Sequence, residues 1–379
     1  MGLCKSFAIA ALIVCFNTIP VASAKSTAGE STPVSTRDWK LHPAIVELPE
    51  TADVYALGDV HGDCDRMVQL LAGAKLIAAV PATSQAVKWS GGKADLIVTG
   101  DMIDKYDQSL RVIAVLRVLQ PQVDAAGGHL VICLGNHEAE FLASGGDDKK
   151  GAEFEKELQA AGISPGDVAA GRDSGGIGAW LRDLPAGAKV GDWFFCHAGN
   201  TGGKKLAGLE TELQQALEQI GFSTPLLIDP NSMLEARMHP RPWFDATSDP
   251  GLKDVKPPSV PETKKERKKT EKEEKKEEKK EKSQSSAAPP KLVETVQALG
   301  VKHLVIGHQP GKATFSDGTV RKEGQMFEHY NGMFFMIDTG MSRGVSSGRG
   351  AVLHIHAGKS KQSATAIYAD SQQAELWKQ

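Results

Sequence analysis

Between Asp53 and Gly135 the chain alternates two apolar patterns. "DVYAL", "ADLIVTG" and "HLVICLG" are short apolar runs bounded by glycine and polar residues, the pattern of buried strands. "CDRMVQLLAGAKLI" and "SLRVIAVLRVLQPQ" carry their apolar residues at helical spacing instead. The order β-α-β-α-β predicts an α/β arrangement with parallel strands. After the middle helices come "WFFCH", "HLVIGH", "MFFMIDTG", "AVLHIH" and "ATAIYA", strand patterns with short connections. The end of the chain is therefore expected to be antiparallel, and two β-rich layers flanked by helices fit the order.

Two regions break the periodicity. Residues 25–50 are rich in Ser, Thr and Pro and read as a loose leader. Residues 249–290 hold the run "PETKKERKKTEKEEKKEEKKEKSQSSAAPP", whose Glu and Lys stand in i to i+4 register but leave no face to bury. That stretch is a low-complexity surface insertion, helical or disordered, which divides the folded part into 51–248 and 291–379. An electrostatic contact with an acidic partner or a membrane surface is its competing reading.

Residues 1–24 read as an address. Lys5 supplies a positive start, "SFAIAALIVCF" an apolar stretch, and "VASA" a small-x-small cleavage pattern ending at Ala24. The apolar run falls short of the roughly 20 residues that span a bilayer. Cleavage, entry into the secretory pathway, a secreted or lumenal mature chain and no stable membrane insertion are the expectation.

At 379 residues, 41% hydrophobic and 24% charged, the chain is long enough for a sizeable core. The net charge is −3, but Glu262 to Lys282 carries eleven basic and eight acidic residues, so the remainder stands at −6. No basic domain is present, and nucleic acid is not an expected partner. The mature chain would keep Cys64, Cys133 and Cys196, an odd number without C-x-x-C spacing, which indicates neither a disulfide framework nor a thiolate zinc site. Cys64 lies beside the first polar cluster, where a free thiol could be redox-sensitive.

The candidate chemistry sits at strand ends. "YALGDVHGD" puts Asp59, His61 and Asp63 around glycines directly after a strand. Alone, that is ordinary turn composition. The same grammar recurs with Asp101 and Asp104 in "LIVTGDMID", Asn136 and His137 in "LVICLGNHE", His197 in "WFFCHAG" and His308 in "LVIGHQP". Carboxyl ends of strands in an α/β sheet converge at one rim. Asp, Asn and His without cysteine suit cations such as Mn, Fe or Zn, and two ions sharing a carboxylate activate water and clamp phosphoryl oxygens.

"GDVHG", "GDMIDK", "GNHE", "HAG" and "GH", in that order, resemble the signature of the calcineurin-like metallophosphoesterases, in particular the branch of PPP-type and Shewanella-like phosphatases and diadenosine tetraphosphatases. The resemblance covers about Val54 to His356 apart from the insertion. It implies a four-layer α-β-β-α sandwich of two mixed sheets, with Asp59 and His61 as ligands of a first metal, Asp101 as the bridge, and Asn136, His197 and His308 as ligands of a second. It implies further that His137, oriented by Asp104, is the general acid, and that a hydroxide bridging the metals attacks a phosphate monoester. Asp63 reads as a helix cap or an outer support, and Glu138 as a hydrogen-bonding support.

The motifs also depart from the family pattern. The second motif normally ends in Asp-Arg-Gly and here reads Asp104-Lys105-Tyr106, which exchanges a planar fork for a point charge. Arg237 or Arg241, in "SMLEARMHPRPWF", falls where the family often supplies a phosphate-binding arginine; Arg237 is preferred, with a structural salt bridge as its alternative. "GHQP" lacks the Gly-His-x-His pair of many phosphodiesterase members and favours the phosphatases. "MIDTGMSRG" resembles the Shewanella-like closing segment, in which Asp338 could bond a ligand histidine or merely occupy a turn. Tyr106 stands too far beyond Asp104 to serve as the tyrosine ligand of purple acid phosphatases. The sequence thus points to a dimetal phosphoesterase acting on a phosphoprotein (Ser/Thr or Tyr) or a small phosphate ester. Hydrolysis of dinucleoside polyphosphates or diesters, and a non-catalytic binding module on the same fold, are the alternatives.

Overall fold

Burial with period two on both faces organises the strands, and the helices follow from it. The computed structural model describes residues 37–145, 150–239, 241–245, 287–346, 348–357 and 361–379. The expected signal segment and nearly all of the Lys/Glu insertion lie outside them.

The first half comprises β1 (Ile45–Leu48), β2 (Asp53–Leu57), α1 (Cys64–Gly73), β3 (Asp95–Val98), α2 (Ser109–Ala126), β4 (Leu130–Ile132) and α3 (Asn136–Ser144). Three short helices follow, α4 (Ala152–Ala160), α5 (Pro165–Ala169) and α6 (Ile177–Arg182), and then β5 (Gly187–Val190) and β6 (Trp193–Cys196). The second half holds α7 (Leu206–Gln219), α8 (Pro225–Ile228), α9 (Pro290–Leu299) and β7 (His303–Ile306). It continues with a small hairpin, β8 (Ala313–Thr314) and β9 (Val320–Arg321), then β10 (Phe327–His329) and β11 (Phe334–Met336). A closing meander runs through β12 (Val352–Ala357), β13 (Gln362–Ile367) and β14 (Gln373–Lys378).

One six-stranded sheet has the order β1-β5-β6-β7-β11-β10 and the other β14-β13-β12-β2-β3-β4. In the second, β2, β3 and β4 are parallel, while β12 pairs antiparallel with β2 and starts the meander. In the first, β6, β7 and β11 are parallel, with antiparallel partners outside them. Both sheets are mixed, as expected.

Val54, Ala56, Ile97 and Val131 of one sheet pack with Phe195, Val305 and Phe335 of the other in a dry layer between them. Their alternates, Leu57, Leu96, Val98, Phe194, Ile306 and Phe334, pack on the helix-covered outer faces. This is a four-layer α-β-β-α sandwich, and it explains why these strands read as continuous apolar runs. Phe195 has no exposed surface, so Phe195→Ala should cost about 3–5 kcal/mol. Urea unfolding would show this as a lowered midpoint at unchanged slope; an unchanged midpoint would contradict the layer.

One expectation needs correction. Residues 37–50, read as leader, are built into the fold: β1 is the edge strand, parallel to β5. Arg37 donates to the carbonyls of Arg182 and Leu184 at 3.0 Å each, and Glu210 of α7 accepts from Ala44 N and Ile45 N. A four-residue strand between Pro43 and Pro49 is too short to show a period. The stretch from Ser144 to Asp192, between α3 and β6, holds α4 to α6 and β5.

Candidate metal centre

The parallel strands aim their carboxyl ends at one another, and short loops there carry the polar residues. Val60 N and His61 N donate to Asp101 O at 3.0 and 2.8 Å, which ties the loop after β2 to the loop after β3. Glu138, in the first turn of α3, accepts from Asp101 N, Met102 N, Ile103 N and Gly135 N at 2.8–3.1 Å. It therefore fixes the Asp101 loop on the helix that begins with Asn136. The glycines of "GNHE" and "GHQP" make room for carboxylates: a Cβ on Gly135 would lie 2.1 Å from Asp101 Oδ1, and one on Gly307 2.4 Å from Asp59 Oδ1. His61, Asp101, Asp104, Lys105 and His308 all have φ between 43° and 68°. Non-glycine residues adopt this region at a cost of roughly 1–3 kcal/mol each, and such strain gathers at functional sites.

Asp101 stands at the centre. Its Oδ2 lies 3.5 Å from His61 Nε2, 3.9 Å from His137 Nε2 and 3.4 Å from His197 Nε2. Asp59 Oδ2 is 3.9 Å from His61 Nε2, and both Asp59 oxygens accept from His308 N, at 3.0 and 3.1 Å. On the other side His197 Nε2 faces Asn136 Oδ1 at 3.1 Å and His308 Nδ1 at 2.9 Å. All six residues expected as ligands are at most 8% exposed.

This donor set fits cations. His197 Nδ1 lies 3.0 Å from Thr99 O and donates to it, which leaves the lone pair of Nε2 aimed at the Asn136, Asp101 and His308 acceptors. Two groups of donor atoms, His61–Asp101–His137 and Asp101–His197–His308, each lie within 4.8 Å of one another, with Asp101 common to both. Burial, with Asp338 and Asp101 close by, holds the Asp59 carboxyl well above the usual range. Burial acts the same way on Asp101, but the imidazoles of His197, His137 and His61 overcome it and hold that carboxyl well below. Crowded buried carboxylates facing bare imidazole nitrogens are what oxygen- and nitrogen-coordinated ions relieve.

His137 is placed differently from the others. Its Nδ1 is 3.1 Å from Asp104 Oδ2 and 2.6 Å from Lys150 O. The proton on Nδ1 is thus held on the far side, and Nε2 is turned to the centre. Burial lowers its basicity, yet Asp101 and Asp104 outweigh that and raise it above the ordinary histidine value. Asp104 is itself fixed by Glu153 N of α4 at 2.7 Å.

The cations lie at the rim. Lys105 is exposed, and its charge reaches His137. The Arg237 side chain is 53% exposed and lies 3.6 Å from Glu235, with its charge felt at His308. Arg241 is exposed, and no hydrogen bond or ion pair ties it to the site among the described residues. Asp63 caps α1 through Arg66 N, at 3.2 Å, the first of its two expected readings, and holds the Arg343 guanidinium by Nε and Nη2. Arg343 also lies 4.5 Å over the Tyr106 ring, which occupies that side chain. Asp338 accepts from Gly340 N and sits beside Asp59 rather than bonding a ligand histidine. Cys64 is buried and its thiol is pushed up to about 11 by that burial, which argues against a reactive thiolate. Among the histidines without a motif, His303 stacks on Trp193 at 3.9 Å and His354 on Tyr55 at 4.3 Å.

Three residues at the site escaped the sequence reading. Glu235 accepts from Asn136 Nδ2 at 3.0 Å, and Lys150 bridges Glu235 and Glu140. Arg321, on the small hairpin, is fully buried and donates to the carbonyls of Gln309, Gly311, Gln325 and Asp338. Glu235 and Lys150 lie outside the strands, and Arg321 closes a two-residue strand too short to show a period, so no pattern marked them.

Comparison with known proteins agrees with this geometry. A Shewanella-like protein phosphatase 2 of Arabidopsis thaliana is 30% identical over 24% of this chain and 22% of its own length. A symmetrical bis(5'-nucleosyl)-tetraphosphatase of Methylococcus capsulatus is 27% identical over 38% of this chain and 42% of its own. The chain thus spans well under half of the length of these curated relatives. Among solved structures, a cold-active protein tyrosine phosphatase superposes with a TM-score of 0.57 at 18% identity, covering 88% of this chain and 82% of that one. A second structure, of the cold-active enzyme of a psychrophilic Shewanella, gives 0.54 at 18% identity over 88% and 83%. These show a shared fold. The family model for calcineurin-like phosphoesterases matches residues 52–312, from the strand before Asp59 to just beyond His308. With that match running through every loop of the centre, the chain belongs to the calcineurin-like phosphoesterase family.

Proposed function

We propose that this protein hydrolyses phosphate monoesters, a phosphorylated protein side chain among them. The carrying observation is His137: an imidazole held at Nδ1 by Asp104 and Lys150 O, with Nε2 turned to the carboxylate that both donor groups share. Release of an alkoxide from phosphate needs a proton, and a histidine of raised basicity beside the centre delivers it.

Asp59, His61 and Asp101 would hold one cation, and Asp101, Asn136, His197 and His308 the other; bound together, the pair supplies an activated water and neutralises phosphoryl charge. Mn, Fe or Zn suits the donors. The protein's own contribution is placement. Glu138 and the strained loops fix Asp101, Asp104 and Glu153 fix His137, and the buried floor excludes bulk water. At the rim, Lys105 and Arg237 would face the phosphate oxygens as they arrive.

The test compares initial rates on an aryl phosphate monoester and on its diester, with added manganese and after chelation. A chelator-sensitive preference for the monoester supports the reading; a preference for the diester overturns it. The Methylococcus relative, matched over 38% of this chain, supports a second reading, hydrolysis of dinucleoside polyphosphates. A dinucleoside tetraphosphate in the same assay decides between them. Lys105→Ala should raise KM for the monoester by up to about fivefold with kcat little changed, the size of an exposed charge contact of roughly 0.2–1 kcal/mol. Identical KM values would place Lys105 off the substrate.

A further inference from the structure

Glu235 sits in a tight turn that two neighbours bolt down. Ser232 Oγ donates to Leu227 O of α8 at 2.8 Å and accepts from Leu234 N and Glu235 N, while Met233 O accepts from Ala198 N just beyond His197. The turn delivers the Glu235 carboxylate, 6% exposed, under the Asn136 amide. There Oε1 accepts from Asn136 Nδ2 at 3.0 Å. A side-chain amide has a donor end and an acceptor end of nearly the same shape. Turned over, Asn136 would present two N–H groups to the point on which His197, His308 and Asp101 converge.

We infer that Glu235 is a positioning residue for the second cation: it binds the NH2 end of Asn136, so that Oδ1 faces His197 Nε2 and the centre. A carboxylate suits the task because it only accepts, whereas an apolar side chain in its place would leave the NH2 end of Asn136 without an acceptor. Lys150 and Arg237 flank Glu235 and balance its charge. Because Lys150 O also accepts a hydrogen bond from His137 Nδ1, the residue paired with Glu235 touches both the ligand set and the acid. The inference rests on the dimetal reading above.

The test is a manganese titration of the chelated, full-length chain, with metal per chain counted by elemental analysis after gel filtration. The wild-type chain should bind two ions; fewer than two would overturn the dimetal reading itself, before any variant is consulted. Glu235→Ala should weaken one of the two ions about 10–100-fold, the usual effect of removing a partner behind a ligand, and leave the other unchanged. Its kcat should recover at high manganese. Glu235→Gln keeps a carbonyl oxygen for the same hydrogen bond and should restore most of the lost affinity. Should the alanine variant unfold, Glu235→Met, of similar volume, carries the same comparison. Two ions bound with wild-type affinity in a variant without an acceptor would overturn the proposal. So would an equal loss in the glutamine variant, since charge rather than amide orientation would then be responsible.

Discussion

Asp101→Asn is expected to reduce kcat/KM by about 10³-fold or more and to lower the metal content of the purified chain from two ions. Asparagine keeps the shape and leaves an oxygen to accept from His137 N, which Asp101 Oδ1 does at 3.0 Å. The fold and the start of α3 should therefore survive. What goes is the one negative charge that His61, His137 and His197 all face within 3.9 Å. Metal-ion stabilisation of a phosphoryl transition state is worth several kcal/mol, and about 1.4 kcal/mol corresponds to a tenfold change in rate. Circular dichroism, elemental analysis and steady-state rates on one preparation suffice. A folded variant that kept two ions and wild-type activity would remove Asp101 from the centre.

His137→Ala should separate substrates by their leaving groups. General acid catalysis contributes typically about 10²–10⁴-fold, and the contribution shrinks when the departing oxygen needs no proton. The loss should be near the upper end for an alkyl phosphate and small for a nitrophenyl ester. An equal loss on both would make His137 a metal ligand, a role its distance from Asp101 also allows. Asp104→Asn supplies a further sign. The acid must be protonated to act, and Asp104 helps to hold His137 above the ordinary histidine value. Removing that carboxylate should shift the basic limb of the kcat profile to lower pH, and an unshifted limb would mean that the acid is another group.

Much of the centre was legible because its residues stand at strand ends, where an apolar run stops abruptly at Gly and a ligand type. Asp59, Asp101, Asn136, His197 and His308 were all visible in this way, and the structure brings them together. The sandwich was legible for the same reason: Ile97, Val131 and Phe195 are apolar beside neighbours that are apolar too, which only strands buried on both faces require. Where function depends on turns, the signal vanished. Glu235 lies in a turn without period, and its partner Asn136 is 99 positions away. Arg321 looks like any surface cation in "TVRKEG", and only the structure shows it satisfying four carbonyls without exposure. β1 was hidden by its brevity, and Arg241, the less favoured of the two candidate arginines, is exposed at the surface.

The pairing of β12 with β2 bears on how the protein is made. The strand that leads into Asp59 has for one neighbour a strand near the other end of the chain; Asp53 and His354, bonded across that junction, are 301 positions apart. Contacts between such distant positions are slow to form, because loop-closure entropy precedes their reward. A ribosome releases the N-terminal half long before β12 exists, so β2 waits with an open edge while the rest is synthesised. Exposed strand edges of this kind are templates for pairing with other chains, so the unfinished chain carries an aggregation liability until β12 closes that edge. A stop codon that removed only the last three strands, well beyond His308, would leave every ligand in the chain and still strip the sheet that aims the first of them.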